Sequence, residues 1–339
     1  MTLTRGSVSE IALLDARTLA RVSTVNKPLG QGAAGPFTPD GKHLTATWST
    51  PNTPYDLFSI DLATGAVSPM RDDPRPSLAG SPEIESRVVA IPSFDGGTIP
   101  ANVYMAKGEA TRPHPTIVAY HGGPSRVSAI QWSERNSFFV SLGYAVVEPN
   151  VRGSTGYGRA YELADNGAAR RDALKDVETS ARWVAAQPWA DSERMVVFGE
   201  SYGGYTALVA LARWPDIWRA GVDMSGIVDL RTFMSSTSGR IREVFLAELG
   251  DPVKDAELYA ELSPITRVDD IVDPTFVYEG ANDPRVPRSE SDIIVKALRA
   301  RNVTCEYMLA EDEGHSLDRP ENQRAFYGRV ARFLETALR

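Results

Sequence analysis

The sequence predicts an α/β fold in which a mostly parallel sheet of eight strands is covered by helices on both faces. Two observations lead to this prediction. After about residue 82, short apolar runs alternate with longer stretches of helical periodicity, which is the pattern of parallel sheets. Before that point, short β-like runs are separated only by turns, so we expect a smaller β-rich unit at the start of the chain.

The strands of the large sheet are predicted from apolar runs bounded by Gly, Pro and polar residues. The first two strands form a hairpin through residues 94–99. In the helix from Arg170, apolar residues recur at steps of three and four, so one face packs on the sheet. The predicted strands are 86–92, 98–106, 115–120, 143–149, 194–198, 217–224, 274–280 and 303–309, and the predicted helices are 170–186, 202–213, 288–301 and 321–338.

Residues 1–80 are predicted to form a separate β-rich unit. Residues 37–70 resemble one blade of a β-propeller, a four-stranded sheet of ~40 residues. A propeller of seven blades needs ~300 residues. We therefore expect a propeller-blade-like remnant over 1–80, packed on residues 81–339 or on another subunit. The Pro, Gly and Ser residues of segment 74–82 predict the joint between the two.

Composition excludes several classes of partner. The 339 residues include 42% hydrophobic and 24% charged residues, as in globular proteins. A net charge of -8 argues against nucleic acid and anionic membranes as partners. Apolar runs such as 116–120 are far shorter than the ~20 residues of a membrane span, and the first residues lack a signal-peptide pattern. We expect a cytoplasmic protein, and the single Cys305 excludes an intrachain disulfide.

The strongest functional motif is Gly-Glu-Ser-Tyr-Gly at residues 199–203. A short apolar run precedes it and a helical pattern follows it, which is the setting of a nucleophile elbow. Such a turn strains the serine backbone, and side chains two residues away would collide, so glycines are needed there. The motif predicts Ser201 as a nucleophile exposed at the carboxyl edge of the sheet.

A serine hydroxyl needs a base, and the chain has only four histidines. His43 lies in the blade-like segment, His114 lies between prolines, and His121 opens the loop after the third strand, where another role is expected. His315 follows the last strand and precedes the final helix. That is where the base of an α/β-hydrolase falls in the chain order, so we predict His315 as the base.

The acid should follow the strand before the last one. Residues 275–287 offer Glu279 at the strand end and Asp283 in the loop. We favour Asp283 because a loop residue is free to reach the ring nitrogen of His315 that faces away from Ser201. Glu279 remains the alternative.

Two backbone N–H groups are needed to bind the oxyanion of an acyl-transfer intermediate. The amide of Tyr202 is one candidate, because it directly follows the nucleophile. The second is expected from the His-Gly-Gly-Pro loop at 121–124, where glycines allow the backbone to approach a substrate closely.

Five motifs occur in register: GESYGGY at 199–205, HGGP at 121–124, NVRGSTGYG at 150–158, NDPRVP at 282–287 and EGH at 313–315. With them the chain resembles the prolyl oligopeptidase family of serine hydrolases, in the branch of acylaminoacyl peptidases and dipeptidyl aminopeptidases. The resemblance covers residues 82–339 strongly and 1–80 weakly. It implies an α/β-hydrolase fold with a Ser-Asp-His triad.

The resemblance also implies roles beyond the triad. Gly123 matches the second amide donor of the oxyanion hole, and Arg285 matches the arginine that binds a substrate carbonyl. Phe233, Met234 and Val286 fall where family members line the pocket for the residue that donates the acyl group.

We therefore predict a serine hydrolase without metal or cofactor that cleaves small peptides, acyl-amino acids or esters. Alternatives are a carboxylesterase for small esters, an acyl transferase or cyclase, and a non-catalytic interaction module on a hydrolase fold. Because an incomplete blade leaves strand edges that proteins usually cover, we also expect a homo-oligomer formed through residues 1–80.

Overall fold

The computed structural model describes residues 1–25, 27–72, 75 and 79–339. Within the predicted joint, Pro74 and residues 76–78 lie outside the described residues. The last strand of the N-terminal part ends at Pro69, and the first strand of the large sheet begins at Ile84. The boundary between residues 80 and 81 stays a prediction.

The N-terminal part consists of two antiparallel sheets. One of them is the four-stranded sheet that the blade-like pattern of residues 37–70 predicts. Its first strand begins earlier than predicted, at Gln31. Its inward side chains form a small core with the three-stranded sheet through residues such as Ile11, Leu44 and Trp48. The strands are β1 (Thr2–Arg5), β2 (Val8–Leu14) and β3 (Arg21–Thr24) in one sheet, and β4 (Gln31–Phe37), β5 (His43–Thr50), β6 (Thr53–Asp61) and β7 (Val67–Pro69) in the other.

The large sheet confirms the predicted α/β-hydrolase architecture. Its spatial order is β15-β14-β13-β12-β10-β11-β9-β8, with the first six strands parallel and the β8-β9 hairpin antiparallel. The strands are β8 (Ile84–Pro92), β9 (Thr98–Ala106), β10 (His114–Tyr120), β11 (Ala145–Pro149), β12 (Ala190–Glu200), β13 (Ala220–Met224), β14 (Thr275–Gly280) and β15 (Cys305–Ala310). Each contains or largely overlaps a predicted strand.

Helices cover both faces of this sheet. The four predicted helices are present with ends shifted by a residue at most, whereas the other helices of the described residues were not predicted. The helices are α1 (Glu134–Ser141), α2 (Arg159–Glu162), α3 (Arg170–Ala185), α4 (Tyr202–Arg213), α5 (Leu230–Ser236), α6 (Gly239–Leu249), α7 (Ala256–Leu262), α8 (Arg288–Ala300) and α9 (Pro320–Ala337). Across the described ranges, none of the helices has the length and apolar character that a membrane span requires.

Neighbouring residues of the central strands are buried on opposite faces. Ile117 and Val118 of β10 are both fully buried, yet they belong to two different apolar clusters. Burial on both faces is the reason that these strands are continuously apolar rather than alternating.

The N-terminal part packs directly on the large domain. The Gly6 N–H donates to the Gly156 carbonyl at 3.0 Å, and the Ile130 N–H donates to the Ser7 carbonyl at 2.8 Å. A methyl group at Gly6 would lie 2.2 Å from the Tyr157 ring, so this contact requires a glycine. Residues 1–80 were expected to pack either on residues 81–339 or on another subunit, and the structure shows the first of these contacts.

Two carboxyls are buried near the carboxyl ends of the central strands. Glu279 on β14 is 0% exposed, and its Oε1 accepts from Ser225 Oγ at 3.1 Å and its Oε2 from Ser291 Oγ at 2.7 Å. Burial raises the pKa of Glu279 to about 8 and that of Asp223, on the adjacent strand β13, to about 7. Glu279 therefore holds its proton at neutral pH.

Glu279→Gln should change how the free energy of unfolding depends on pH. In the unfolded chain the Glu279 pKa returns to about 4.5, so that state releases its proton before the folded state, whose value is about 8. The free energy of unfolding of the wild type should therefore fall relative to that of the variant as pH rises from roughly 4.5 to 8. Above roughly pH 8 the difference between the two proteins should stay constant. Thermal unfolding from pH 5 to pH 9, with Glu85→Gln at an exposed site as the control, measures this. Parallel curves for wild type and Glu279→Gln would contradict a neutral Glu279.

Candidate active site

Ser201 occupies a strained turn between β12 and α4. Its φ of 59° and ψ of -122° lie in a region that residues with a side chain rarely adopt. The Ser201 N–H donates to the Met224 carbonyl at 2.8 Å, which ties the turn to the adjacent strand β13. The strand-turn-helix setting predicted from the motif is confirmed.

Glycines on both sides of Ser201 are needed for close backbone contacts. A methyl group at Gly199 would lie 1.9 Å from the Gly203 carbonyl oxygen, and one at Gly203 would lie 2.0 Å from the Tyr120 carbonyl oxygen. No side chain fits at these distances, so the backbone of α4 sits directly on the ends of β10 and β12.

His315 and Asp283 form a close, shielded pair. His315 Nδ1 lies 2.6 Å from Asp283 Oδ2, with 7% of the histidine side chain and 0% of the aspartate side chain exposed. Asp283 Oδ1 accepts from the N–H groups of Arg285 and Val286 at 2.7 and 3.0 Å, which fixes the carboxylate. With Nδ1 donating to Asp283, Nε2 of His315 is the nitrogen left to act as a base.

The remaining histidines have other partners. His114 contacts the carbonyl oxygens of Gly143 and Glu109, and His43 lies 3.6 Å from Asp61 in the N-terminal part. His121 Nε2 lies 2.9 Å from Ser154 Oγ, and burial lowers its pKa, so it is neutral. These contacts hold His121 within the loop, and they leave His315 as the candidate base.

The structure also separates the two candidate acids. Asp283 contacts His315, whereas Glu279 is enclosed between Ser225 and Ser291. An acid that must stabilise an imidazolium has to be ionised at neutral pH, and the raised pKa of Glu279 makes it unsuitable.

The two candidate oxyanion donors flank Ser201. Tyr202 is the first residue of α4, where N–H groups have no intrahelical acceptor. On the other side, a methyl group at Gly122 would lie 3.4 Å from Ser201 Cβ, so the loop of residues 121–124 packs against the nucleophile. Gly123 has a φ of +146°, in the region that favours glycine.

The residues expected to bind substrate differ in exposure. Arg285 is exposed, as a group that contacts substrate must be. Phe233, Met234 and Val286 are at most 2% exposed and belong to an apolar cluster that includes Tyr202. They lie beside the nucleophile turn in a closed arrangement, and their role as a pocket stays a prediction.

Sequence reasoning missed a buried charged cluster that contacts Tyr202, the residue after Ser201. Arg170 is 1% exposed and lies between Asp165, Tyr202 and Glu248. One signal was present in the sequence: Glu248 lies on the apolar stripe of α6 between Phe245 and Leu249, both buried. A carboxylate at such a position needs a buried cation as partner.

Known proteins share this architecture. Residues 130–339 match the prolyl oligopeptidase family. Dipeptidyl aminopeptidase BIII of Pseudoxanthomonas mexicana is 34% identical over 311 residues, which cover 88% of this chain and 45% of that protein. The human acylamino-acid-releasing enzyme is 27% identical over 232 residues, covering 66% of this chain and 31% of that enzyme. The chain thus spans less than half the length of these curated relatives.

Solved structures agree with the sequence comparisons. A crystal structure of puromycin hydrolase superposes with a TM-score of 0.84 at 25% identity, covering 99% of this chain and 51% of that one. Pyrococcus horikoshii acylaminoacyl peptidase superposes with a TM-score of 0.82 at 22% identity, covering 98% of this chain and 53% of that one, and it supports the fold alone. Because the family match covers more than half of the sequence, the chain belongs to the prolyl oligopeptidase family.

Proposed function

We propose that this chain is a serine hydrolase that cleaves amide bonds of small peptides or acyl-amino acids through an acyl-enzyme. The observation that carries the proposal is the shielded His315–Asp283 pair, 2.6 Å apart, on the loops that follow β14 and β15. The strained Ser201 turn follows β12 of the same parallel sheet. Since the carboxyl ends of parallel strands meet at one edge, the three residues belong to one site.

The proposed reaction follows from these positions. Ser201 Oγ attacks the substrate carbonyl carbon while His315 Nε2 takes its proton, and Asp283 stabilises the resulting imidazolium. The N–H groups of Gly123 and Tyr202 bind the negative oxygen of the tetrahedral intermediate. His315 then gives the proton to the leaving amine as the carbon–nitrogen bond breaks. Water, activated by His315, releases the acyl group from Ser201.

The names of the relatives support amide substrates. They include a dipeptidyl aminopeptidase, an acylamino-acid-releasing enzyme and a puromycin hydrolase. The same constellation also hydrolyses esters, whose leaving groups need less protonation than amines. We therefore expect short esters to be cleaved as well, and a carboxylesterase remains the second candidate.

Ser201→Ala should lower kcat for any substrate by at least ~10³-fold, because only binding and oxyanion stabilisation remain without the nucleophile. Hydrolysis of an acyl-amino-acid anilide and of the matching ester measures this. Labelling with a fluorophosphonate should be lost together with turnover, whereas Ser235→Ala, at an exposed serine, should label normally. Near-normal hydrolysis by a folded, contaminant-free Ser201→Ala protein would overturn the proposal.

We also propose that Arg285 binds a carbonyl oxygen of the acyl part of a peptide substrate. Arg285→Met should then lower kcat/KM for a peptide anilide by about ten-fold, the effect of one hydrogen bond to a charged group. A short acetate ester, which has no further carbonyl, should be affected much less. Arg288→Met, three residues after Arg285 in the chain, is the matched control because Arg288 pairs with Asp292 at 3.2 Å. An equal loss on both substrates would argue against this role.

We propose that two copies of the chain associate through residues 1–80. Among the described residues, nine of the sixteen exposed large hydrophobic side chains lie within residues 1–70, among them Phe37, Leu57 and Met70. Leu57 and Met70 are neighbours across β6 and the end of β7, since the Met70 N–H donates to the Leu57 carbonyl at 2.9 Å. An apolar patch beside an edge strand is a surface that proteins usually cover.

A cytoplasmic location likewise stays a prediction.

The double variant Leu57→Glu/Met70→Glu should be a monomer, because two charges on the patch oppose its burial. Sedimentation or light scattering over a concentration series measures the mass of both proteins. Val253→Glu is the control, since Val253 is 83% exposed elsewhere on the surface. A wild type that is monomeric at all concentrations would contradict the association.

A further inference from the structure

Arg170 is the largest of the fully buried side chains among the described residues. Its Nη1 donates to Tyr202 Oη at 2.5 Å and lies 2.7 Å from Asp165 Oδ2, and its Nη2 donates to Glu248 Oε2 at 2.9 Å. Burying a guanidinium is costly unless it is paired and hydrogen-bonded. Burial also raises the pKa of Asp165 to about 6, as expected where little water is present.

One arm of this cluster leads to the first oxyanion donor. Arg170 holds the hydroxyl of Tyr202, and its Cζ lies 5.1 Å from the centre of the Tyr202 ring. The N–H of the same Tyr202 directly follows the nucleophile. The guanidinium therefore fixes the side chain of the residue whose backbone is to bind the oxyanion.

The other arm leads to the loop with the second donor. Glu248 accepts from Arg170 through Oε2 and from Ser125 Oγ through Oε1, the latter at 2.6 Å. Ser125 stands two residues after Gly123, and the Ser125 N–H lies only 2.9 Å from where a methyl group at Gly123 would sit. Tyr202, Arg170, Glu248 and Ser125 form a continuous chain, the Arg170 link, that joins the two sides of the oxyanion site.

The contact between Arg170 and Asp165 pairs the buried charge of the guanidinium. A methyl group at Gly153 would lie 2.2 Å from Asp165 Oδ2, so this carboxylate packs against the backbone of the 150–158 loop. Asp165 compensates the buried charge at Nη1, whereas Glu248 contacts Nη2. The hydrogen bond from Ser125 to Glu248 is therefore separable from the ion pairs of Arg170 with Asp165 and Glu248, which keep the guanidinium stable in the interior.

We propose that Arg170 and Glu248 are positioning residues that set the spacing between the N–H groups of Tyr202 and Gly123. The inference rests on the proposed serine hydrolase function. Oxyanion donors act only at about 2.7–3.1 Å from the developing charge. A small displacement of either one weakens binding of the transition state and leaves binding of the substrate almost unchanged.

The Glu248–Ser125 arm is the part to test, because loss of Arg170 itself would leave carboxylates buried without a countercharge. Ser125→Ala and Glu248→Gln should each lower kcat by about ten-fold, with KM within about two-fold of wild type. The double variant should lose little more than either single variant, because both changes break the same arm. Ser141→Ala is the control, because the exposed Ser141 hydroxyl donates to the Phe138 carbonyl of its own helix turn.

A second measurement separates positioning from general structural damage. The inhibition constant of a peptidyl trifluoromethyl ketone, which forms an oxyanion on Ser201, should rise in parallel with the fall in kcat, while the affinity for the product acid stays constant. Variants that are folded and retain wild-type kcat and ketone affinity would overturn the inference. Failure of the proposed hydrolase function gives a different result. A wild type that neither reacts with a fluorophosphonate nor turns over any ester or amide would overturn the hydrolase function and, with it, the positioning roles.

Discussion

The site depends on backbone segments that pack more closely than any side chain permits. Gly199 touches Gly203, and Gly203 touches the end of β10 at Tyr120. A methyl group at Gly280 would lie 1.9 Å from the Gly314 carbonyl oxygen, so the loops that carry the proposed acid and the proposed base also meet through their backbones. Contacts between backbone atoms cannot be relieved by a change of side-chain rotamer. They fix the loop positions, and the strained φ of Ser201 persists because its surroundings leave no alternative.

The N-terminal part contributes to the same framework. Gly6 and Ser7 bond to Gly156 and Ile130, and the Thr155 N–H donates to the Arg126 carbonyl at 2.9 Å. The first strands are therefore connected through the 150–158 loop to the loop that offers Gly123. The NVRGSTGYG motif, which the sequence identified only as part of a resemblance, joins the blade-like part to the segment that follows the proposed oxyanion donor Gly123.

The large sheet, the four long helices and the triad candidates were predictable because each leaves a local signal. Parallel strands are apolar throughout, the elbow needs its glycines, and chain order restricts the base and the acid. The segment that contains α5, α6 and α7 leaves no such signal, since these helices are short and their ends depend on tertiary contacts such as Glu290 accepting from the Val228 and Asp229 N–H groups. Arg170 was recognised only as the start of a helix, because its three partners are distant in sequence and converge only on folding.

Two carboxyls near the end of β14 have different surroundings. Asp283 accepts from the backbone N–H groups of Arg285 and Val286 and from His315 Nδ1. Glu279, four residues earlier, accepts from Ser225, Ser291 and one amide; burial raises its pKa, and the nearby Asp283 and Asp223 raise it further. The two neighbouring carboxyls are therefore used differently: Asp283 faces His315, whereas Glu279 holds its proton at neutral pH between Ser225 and Ser291.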